Sequence, residues 1–395
     1  MSRTSEEPVA SMRTLVAPRS TAWVRAIAPL LALLAWGSCG AEARAENAIV
    51  DLELLSVQRD PEALDWVVKS RIYPEDPRTM VLTLRGGGVS LYDVSEPASP
   101  SLRGRWATDE DVEGQDRRGD LLVVVGRAGR LLTFEMGDGP SLRLRGRLDL
   151  ELSPSPWESL VGWLLETFGN GPFHGLHVAL ATTTAARLVA YVTAPTSGEL
   201  VAVDVSDPDA PRQVGELDTG VELVEAITLV GDHGFVGGFG RSDVLRVIDL
   251  ADPTNMGIVA EIRDPTFRQM VSALHPTEPH VLLAGLWGEP GGLASFDVSD
   301  PTRPLLLDSL VLPELSGANR VKVAGGHAFV PLEQDPGGVA VIGIANPREL
   351  ELVGVWRPLP EDRVYTAQPG AGYVYLFGAW TSSLATLRVV EETCP

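Results

Sequence analysis

An internal repeat constrains this chain more than any other feature. Five segments share one pattern: Leu91-Tyr92-Asp93-Val94-Ser95-Glu96-Pro97, Val203-Asp204-Val205-Ser206-Asp207-Pro208, Ile248-Asp249-Leu250-Ala251-Asp252-Pro253, Phe296-Asp297-Val298-Ser299-Asp300-Pro301 and Ile342-Gly343-Ile344-Ala345-Asn346-Pro347. Two weaker copies fit the same register, around Phe134-Glu135-Met136-Gly137 and around Thr386-Leu387-Arg388-Val389. With anchors at 93, 135, 204, 249, 297, 343 and 386, the spacings are 42, 69, 45, 48, 46 and 43 residues. Self-similarity of this length marks stacked supersecondary units that bury their faces against one another. Only the 69-residue spacing is irregular, and it contains an insertion.

Each unit reads as four short strands. In the unit from Arg320 to Trp356, Val321–Val323 alternates as a strand and Gly325-Gly326 turns the chain. Ala328–Val330 returns it, Asp335-Pro336-Gly337-Gly338 makes a loop, and Val339–Ile344 and Glu351–Trp356 follow as third and fourth strands. The Asp-x-Ser-x-Pro turn has a mechanism: Asp and Ser side chains satisfy nearby backbone donors, while Pro fixes φ and cannot extend a ladder. A chain with Gly 40 and Pro 30 suits many such turns better than long helices. These residues, with following strands such as Gln213-Val214-Gly215-Glu216-Leu217, resemble the LVIVD-repeat family across nearly all of residues 48–395. The resemblance implies a β-propeller, commonly of an exported or cell-surface kind. WD-type signatures are absent.

Seven anchors predict an all-β, seven-bladed propeller. The seventh unit lacks a strand after Val390, whereas Ala48–Leu55 looks like a fourth strand with no blade of its own. Pairing that N-terminal strand beside Leu384–Val390 closes the ring and leaves no open sheet edge.

Residues 1–45 read as a leader and 46–395 as the propeller. Arg13, Arg19 and Arg25 precede an apolar run from Ala26 to Trp36 that is too short to span a bilayer. Two endings fit: Ala43-Arg44-Ala45, with cleavage before Glu46, or Gly37-Ser38-Cys39-Gly40, with Cys39 lipidated. Both imply export, and membrane attachment only through the lipid. Cys39 and Cys394 are the two cysteines, so there is no internal disulfide framework. The formal charge of −21 and the lack of a basic stripe argue against nucleic acid. Lys69 and Lys322 are the only lysines, a bias read as genome composition.

In a propeller the loops between second and third strands share one face with the blade-to-blade connections. Just before each first strand stand Trp66, Asp111, His177, Ala226, Met270, Arg320 and Arg363, preceded by Asp65, Glu110, Leu176, Glu225, Gln269, Asn319 and Asp362. From this mixed-charge rim Trp66, Asp111, His177, Glu225, Gln269, Arg320 and Arg363 are the candidate ligand-binding residues. The competing reading is a solvated rim. His174-Gly175-Leu176-His177 suggests a metal site only weakly, because an HxxH outside a helix arises by chance. His233 and His327 occupy matching turn positions on the opposite face, and His275 and His280 flank a hairpin without evident function.

Residues 153–175 form the insertion. Trp157, Leu160, Val161, Leu164, Leu165 and Phe168 recur at helical spacing and predict one short amphipathic helix on the rim side, either a cap or a partner contact. Trp66, Phe239, Trp287 and Trp380 map to the same face. No nucleophile elbow, phosphate loop or zincin motif appears, and Arg85-Gly86-Gly87-Gly88 joins two strands without opening a helix. The expectation is a monomeric, cofactor-free binding or scaffold propeller that recognises a protein, peptide or glycan. Its rival is a propeller enzyme, a lactonase-like hydrolase or a metal- or quinone-dependent oxidoreductase, acting at the channel mouth.

Overall fold

The computed structural model describes residues 49–391, apart from 109, 138–140, 153–176, 222, 239–243, 264–269 and 278–279. The predicted leader, Cys39, His174, Gln269, Phe239 and the predicted helix in 153–175 lie outside the described residues. Among those described, the chain is all-β apart from one 3-10 turn at Pro313–Leu315, and no helix is long and apolar enough to cross a membrane.

The strands form seven four-stranded antiparallel sheets, the seven expected blades. Their innermost strands are β2 (Val67–Tyr73), β6 (Val112–Arg118), β10 (His177–Thr182), β14 (Val224–Val230), β18 (Met270–Thr277), β22 (Lys322–Ala324) and β26 (Val364–Gly370). Each packs against the next, and β26 packs against β2, so the ring is closed around a central channel. The core is correspondingly divided. Among the described residues seven hydrophobic clusters lie one between each pair of neighbouring blades; Phe235 and Phe296, for example, meet between blades 4 and 5. Middle strands such as Glu199–Asp204 and His327–Leu332 are buried throughout because both of their faces are covered.

The repeated turn performs two tasks. Its anchor carboxylate accepts a hydrogen bond from the backbone N–H two residues on: Asp93 from Ser95 at 2.8 Å, Asp204 from Ser206 at 3.0 Å, Asp249 from Ala251 at 2.9 Å and Asp297 from Ser299 at 2.9 Å. The proline carbonyl of the same turn then docks on the preceding blade. Thr133 Oγ1 donates to Pro208 O at 2.6 Å, and Tyr375 Oη donates to Pro97 O at 3.1 Å. At the corresponding place in blade 3, a Cβ on Gly215 would lie 2.0 Å from Pro253 O, so only glycine admits that approach. The motif is thus a blade-to-blade clasp as well as a turn.

Closure follows the expected route. β1 (Ile49–Arg59) pairs antiparallel with β28 (Ser383–Glu391), completing the blade that contains β26 and β27 (Tyr373–Gly378). A ladder irregularity between Leu54 and Ser56 matches those of the fourth strands in the other six blades, so β1 reproduces a fourth strand in detail. Leu52 is buried in the cluster with Phe329 and Val339, and Trp356 Nε1 donates to Asp51 Oδ1 at 2.8 Å. One anchor moves. In blades 2, 4, 5 and 6 the anchor faces the first residue of the second strand, as Asp249 faces His233 and Gly343 faces His327; in the last blade the first residue of that strand, Tyr373, faces Arg388, two residues beyond the expected Thr386.

Candidate functional site

The ladders between first and second strands define which residues share a level in the channel. Counted from each anchor, the upper level consists of Lys69, Gly114, His177, Ala226, Ala273, Arg320 and Thr366. Two residues further along each strand, the lower level consists of Arg71, Asp116, Ala179, Thr228, His275, Lys322 and Gln368. The rim expected from sequence agrees with the upper level at His177, Ala226 and Arg320. In the other four blades it stands three residues early, at Trp66, Asp111, Met270 and Arg363. In those four blades a one-residue bulge lies near the start of the first strand, at Val68, Glu113, Ser272 and Tyr365, and the strand starts carry no mark in the sequence pattern; blade 4 has a like bulge at Glu225 without the displacement.

Two layers of chemistry result. Outside the upper level, at the mouth, guanidinium and aromatic groups interleave. Arg85 pairs with Glu113 at 2.9 Å and stacks on Trp66 at 4.7 Å, while Trp66 meets Tyr365 edge-on at 6.1 Å. Trp66 holds φ at +44°, a left-handed conformation that non-glycine residues seldom adopt. Arg363 lies over Trp380 at 4.5 Å. Arg127 stands 3.9 Å from both Asp111 and Glu113, and burial pushes the Asp111 carboxyl up against the opposing pull of Arg127. Asp362 is structural: its oxygens accept from the backbone N–H groups of Arg363 at 2.8 Å and Trp380 at 2.9 Å.

At the upper level the channel is bridged. Arg320 Nη1 donates to His177 Nε2 at 3.1 Å. These residues come from blades 6 and 3, as far apart as a ring of seven allows. Burial, then Lys69, Arg320 and Lys322, hold the imidazole well below its ordinary value, which leaves it neutral and able to accept this bond. Glu225 is pushed up to about 7 by burial, against the pull of Arg320.

Beneath the bridge lies a cavity of about 530 Å³, lined by Lys69, Arg71, Asp116, His275 and Lys322 together with His177 and Arg320. Of the sequence candidates among the described residues, His177 and Arg320 line it. Lys69, Lys322 and His275, dismissed from sequence, all do. Their common signal was available: both lysines of the chain fall within first strands. Among the described residues no group of three or more His, Cys, Asp or Glu converges in a way that would hold a metal.

Seven radial blades around a bridged channel define the class: a β-propeller with a polar mouth and an inner cavity. Two stretches, residues 85–108 and 190–219, match the model of the LVIVD repeat. The chain thus carries LVIVD repeats within a seven-bladed β-propeller. An uncharacterised protein of Archaeoglobus fulgidus is 36% identical over 95 residues, 24% of this chain and 15% of that protein's length. Among solved structures, the β-propeller domain of Myceliophteria thermophila Cps50 (Swd1) covers 86% of this chain and 100% of its own, with a TM-score of 0.62 at 12% identity. The computationally designed Ika8 protein covers 82% of this chain and 83% of its own, with a TM-score of 0.54 at 10% identity. At those identities the likeness is one of fold.

Proposed function

We propose that this protein is a non-enzymatic binding propeller of the bacterial cell envelope or surface, recognising a protein, peptide or glycan at the channel mouth. The observation that carries this reading is the exposed Trp380. Eight large apolar side chains are exposed among the described residues; seven lie on outer strands or β1, as Leu305 and Val259 do, whereas Trp380 stands in a loop at the mouth with Arg363 over it. An exposed aromatic beside a guanidinium suits stacking on a sugar or gripping a peptide. The neighbouring ionisable groups are engaged with one another: Arg85 with Glu113, Asn319 with Glu333 at 2.7 Å, Arg320 with His177. That arrangement favours a fixed recognition surface over a nucleophile poised beside a base. Export is supported by the Arg-rich leader with its apolar run, and by the cleavage or lipidation positions at Glu46 and Cys39.

The test is capture from the parent envelope and on a glycan array, with wild type beside Trp380→Ala and Arg363→Ala. Retention that falls at least tenfold in both variants, with unchanged folding, supports the reading. Equal capture by all three proteins overturns it. Stoichiometric metal or a visible chromophore in purified protein would favour the enzymatic alternative.

A further inference from the structure

The channel wall concentrates positive charge inside a strongly negative protein. The chain as a whole carries −21, yet four basic side chains line the cavity: Lys69, Arg71, Arg320 and Lys322, with burial lowering both lysines from their ordinary value. Its single carboxylate, Asp116, is already committed. Asp116 Oδ1 accepts from Arg71 Nη1 at 2.7 Å, and Oδ2 accepts from the Leu180 N–H at 2.8 Å. Among the described residues, no carboxylate forms an ion pair with Lys69, Lys322 or Arg320. Arg320 is buried, and its Nε has no hydrogen-bond partner.

Burying cations together is costly, because each loses hydration and repels the others, and Glu113, Glu225 and Asp116 nearby offset this only in part. The register shows that the crowding is built into the fold. Lys69 and Arg320 share the upper level, Arg71 and Lys322 the lower, with blade 1 and blade 6 each supplying one cation per level. A solubility role cannot explain it, since solubility is served by outward charge. A cavity of about 530 Å³ holds a small molecule with room to spare.

We propose that the cavity beneath the His177–Arg320 bridge binds a small anion with two or more negative charges, held by Lys69, Arg320 and Lys322. Arg71 contributes through the donors that Asp116 leaves unoccupied, and the hydroxyls of Ser70 and Thr366, 2.9 Å apart on the wall, add neutral hydrogen-bonding groups. This goes beyond the mouth reading and does not depend on it, since that reading rests on Trp380 and Arg363, which do not line the cavity. Lys322 faces Lys69 and Arg71 of blade 1, Asp116 of blade 2, His177 of blade 3, His275 of blade 5 and Arg320 of its own blade. An anion among them stabilises the charged ammonium, so binding takes up a proton near neutrality.

Isothermal titration of the purified full chain with citrate, inorganic phosphate and the neutral polyol sorbitol tests this, for wild type, Lys69→Met, Lys322→Met and the surface control Arg348→Met. Citrate or phosphate should bind wild type and the control alike, and at least tenfold more weakly in either lysine variant; citrate, which keeps two or more charges at both values, should bind more tightly at pH 6 than at pH 9. Preference for citrate identifies a carboxylate ligand, and preference for phosphate a phosphoryl ligand; both support the site. A parallel thermal-shift series on wild type, with each anion at fixed ionic strength, covers variants that fold poorly. Neither anion binding, sorbitol binding equally well, or lysine variants matching wild type would overturn the proposal. Trp380→Ala should leave anion affinity unchanged, so failure at the mouth and failure in the channel are separately visible.

Discussion

Closure by β1 makes a sharp prediction about a single side chain. Leu52 is 1% exposed and wedged between β28 and the Phe329–Val339 wall of the neighbouring blade, whereas Leu55, on the same strand, is 37% exposed. Leu52→Ala should cost about 2–5 kcal/mol, the transfer term plus an incompletely collapsed cavity. Leu55→Ala should stay within about 0.5 kcal/mol. Trp356→Phe removes the 2.8 Å bond to Asp51 while keeping most of the packing, and should cost about 0.5–1.5 kcal/mol. Urea unfolding followed by tryptophan fluorescence measures all three. Amide exchange of β28 reports where the loss occurs, because adjacent blades couple mainly through their shared interface. Deleting residues 46–56 removes these contacts together and bares the edge of β28, so the variant should aggregate or lose far more stability than Leu52→Ala alone. Equal stabilities for the Leu52 and Leu55 variants, or a monomeric deletion variant with an unchanged Tm, would refute the closure argument.

Gly215→Ala forces a Cβ to within 2.0 Å of Pro253 O and should destabilise by about 1–3 kcal/mol, whereas Gly257→Ala, with nothing within 4 Å, should be neutral in the same urea titration. Lys322 sits at about 7, below its ordinary 10.5, chiefly through burial and then through Arg71 and Arg320, with Asp116 opposing. The folded state therefore holds fewer protons than the unfolded between those values, and stability from this group rises with pH across that window. Lys322→Met should raise the urea midpoint near pH 7 and narrow its gain toward pH 10. His177→Ala should weaken partner capture at the mouth without unfolding, by opening the bridge to Arg320; His233→Ala, on the opposite face, should not. Intact mass of the native protein should show an N-terminus at lipidated Cys39 or at Glu46, and an unprocessed Met1 would contradict export.

The sequence by itself determined the architecture. The Asp-Pro turns recur because an Asp carboxylate capping a backbone N–H two residues on is local chemistry, legible wherever it occurs, and five clear copies with two weaker ones in the same register count seven blades. The orphan strand beginning near Ala48 was equally legible, since an apolar alternation without a blade must find an edge. Only the tertiary structure decided the site. Which residues share a level in the channel depends on ladder register counted back from each anchor, through hairpins of differing length and past bulges that leave no mark in composition. That count moved the ring by three residues in four blades, brought Lys69 level with Arg320, and set Lys322 beside Arg71 across blades 6 and 1. A lysine in a strand reads the same in sequence whether it faces water or a channel. What distinguishes the two is the wall on the other side, and here that wall is supplied by blades hundreds of residues away along the chain.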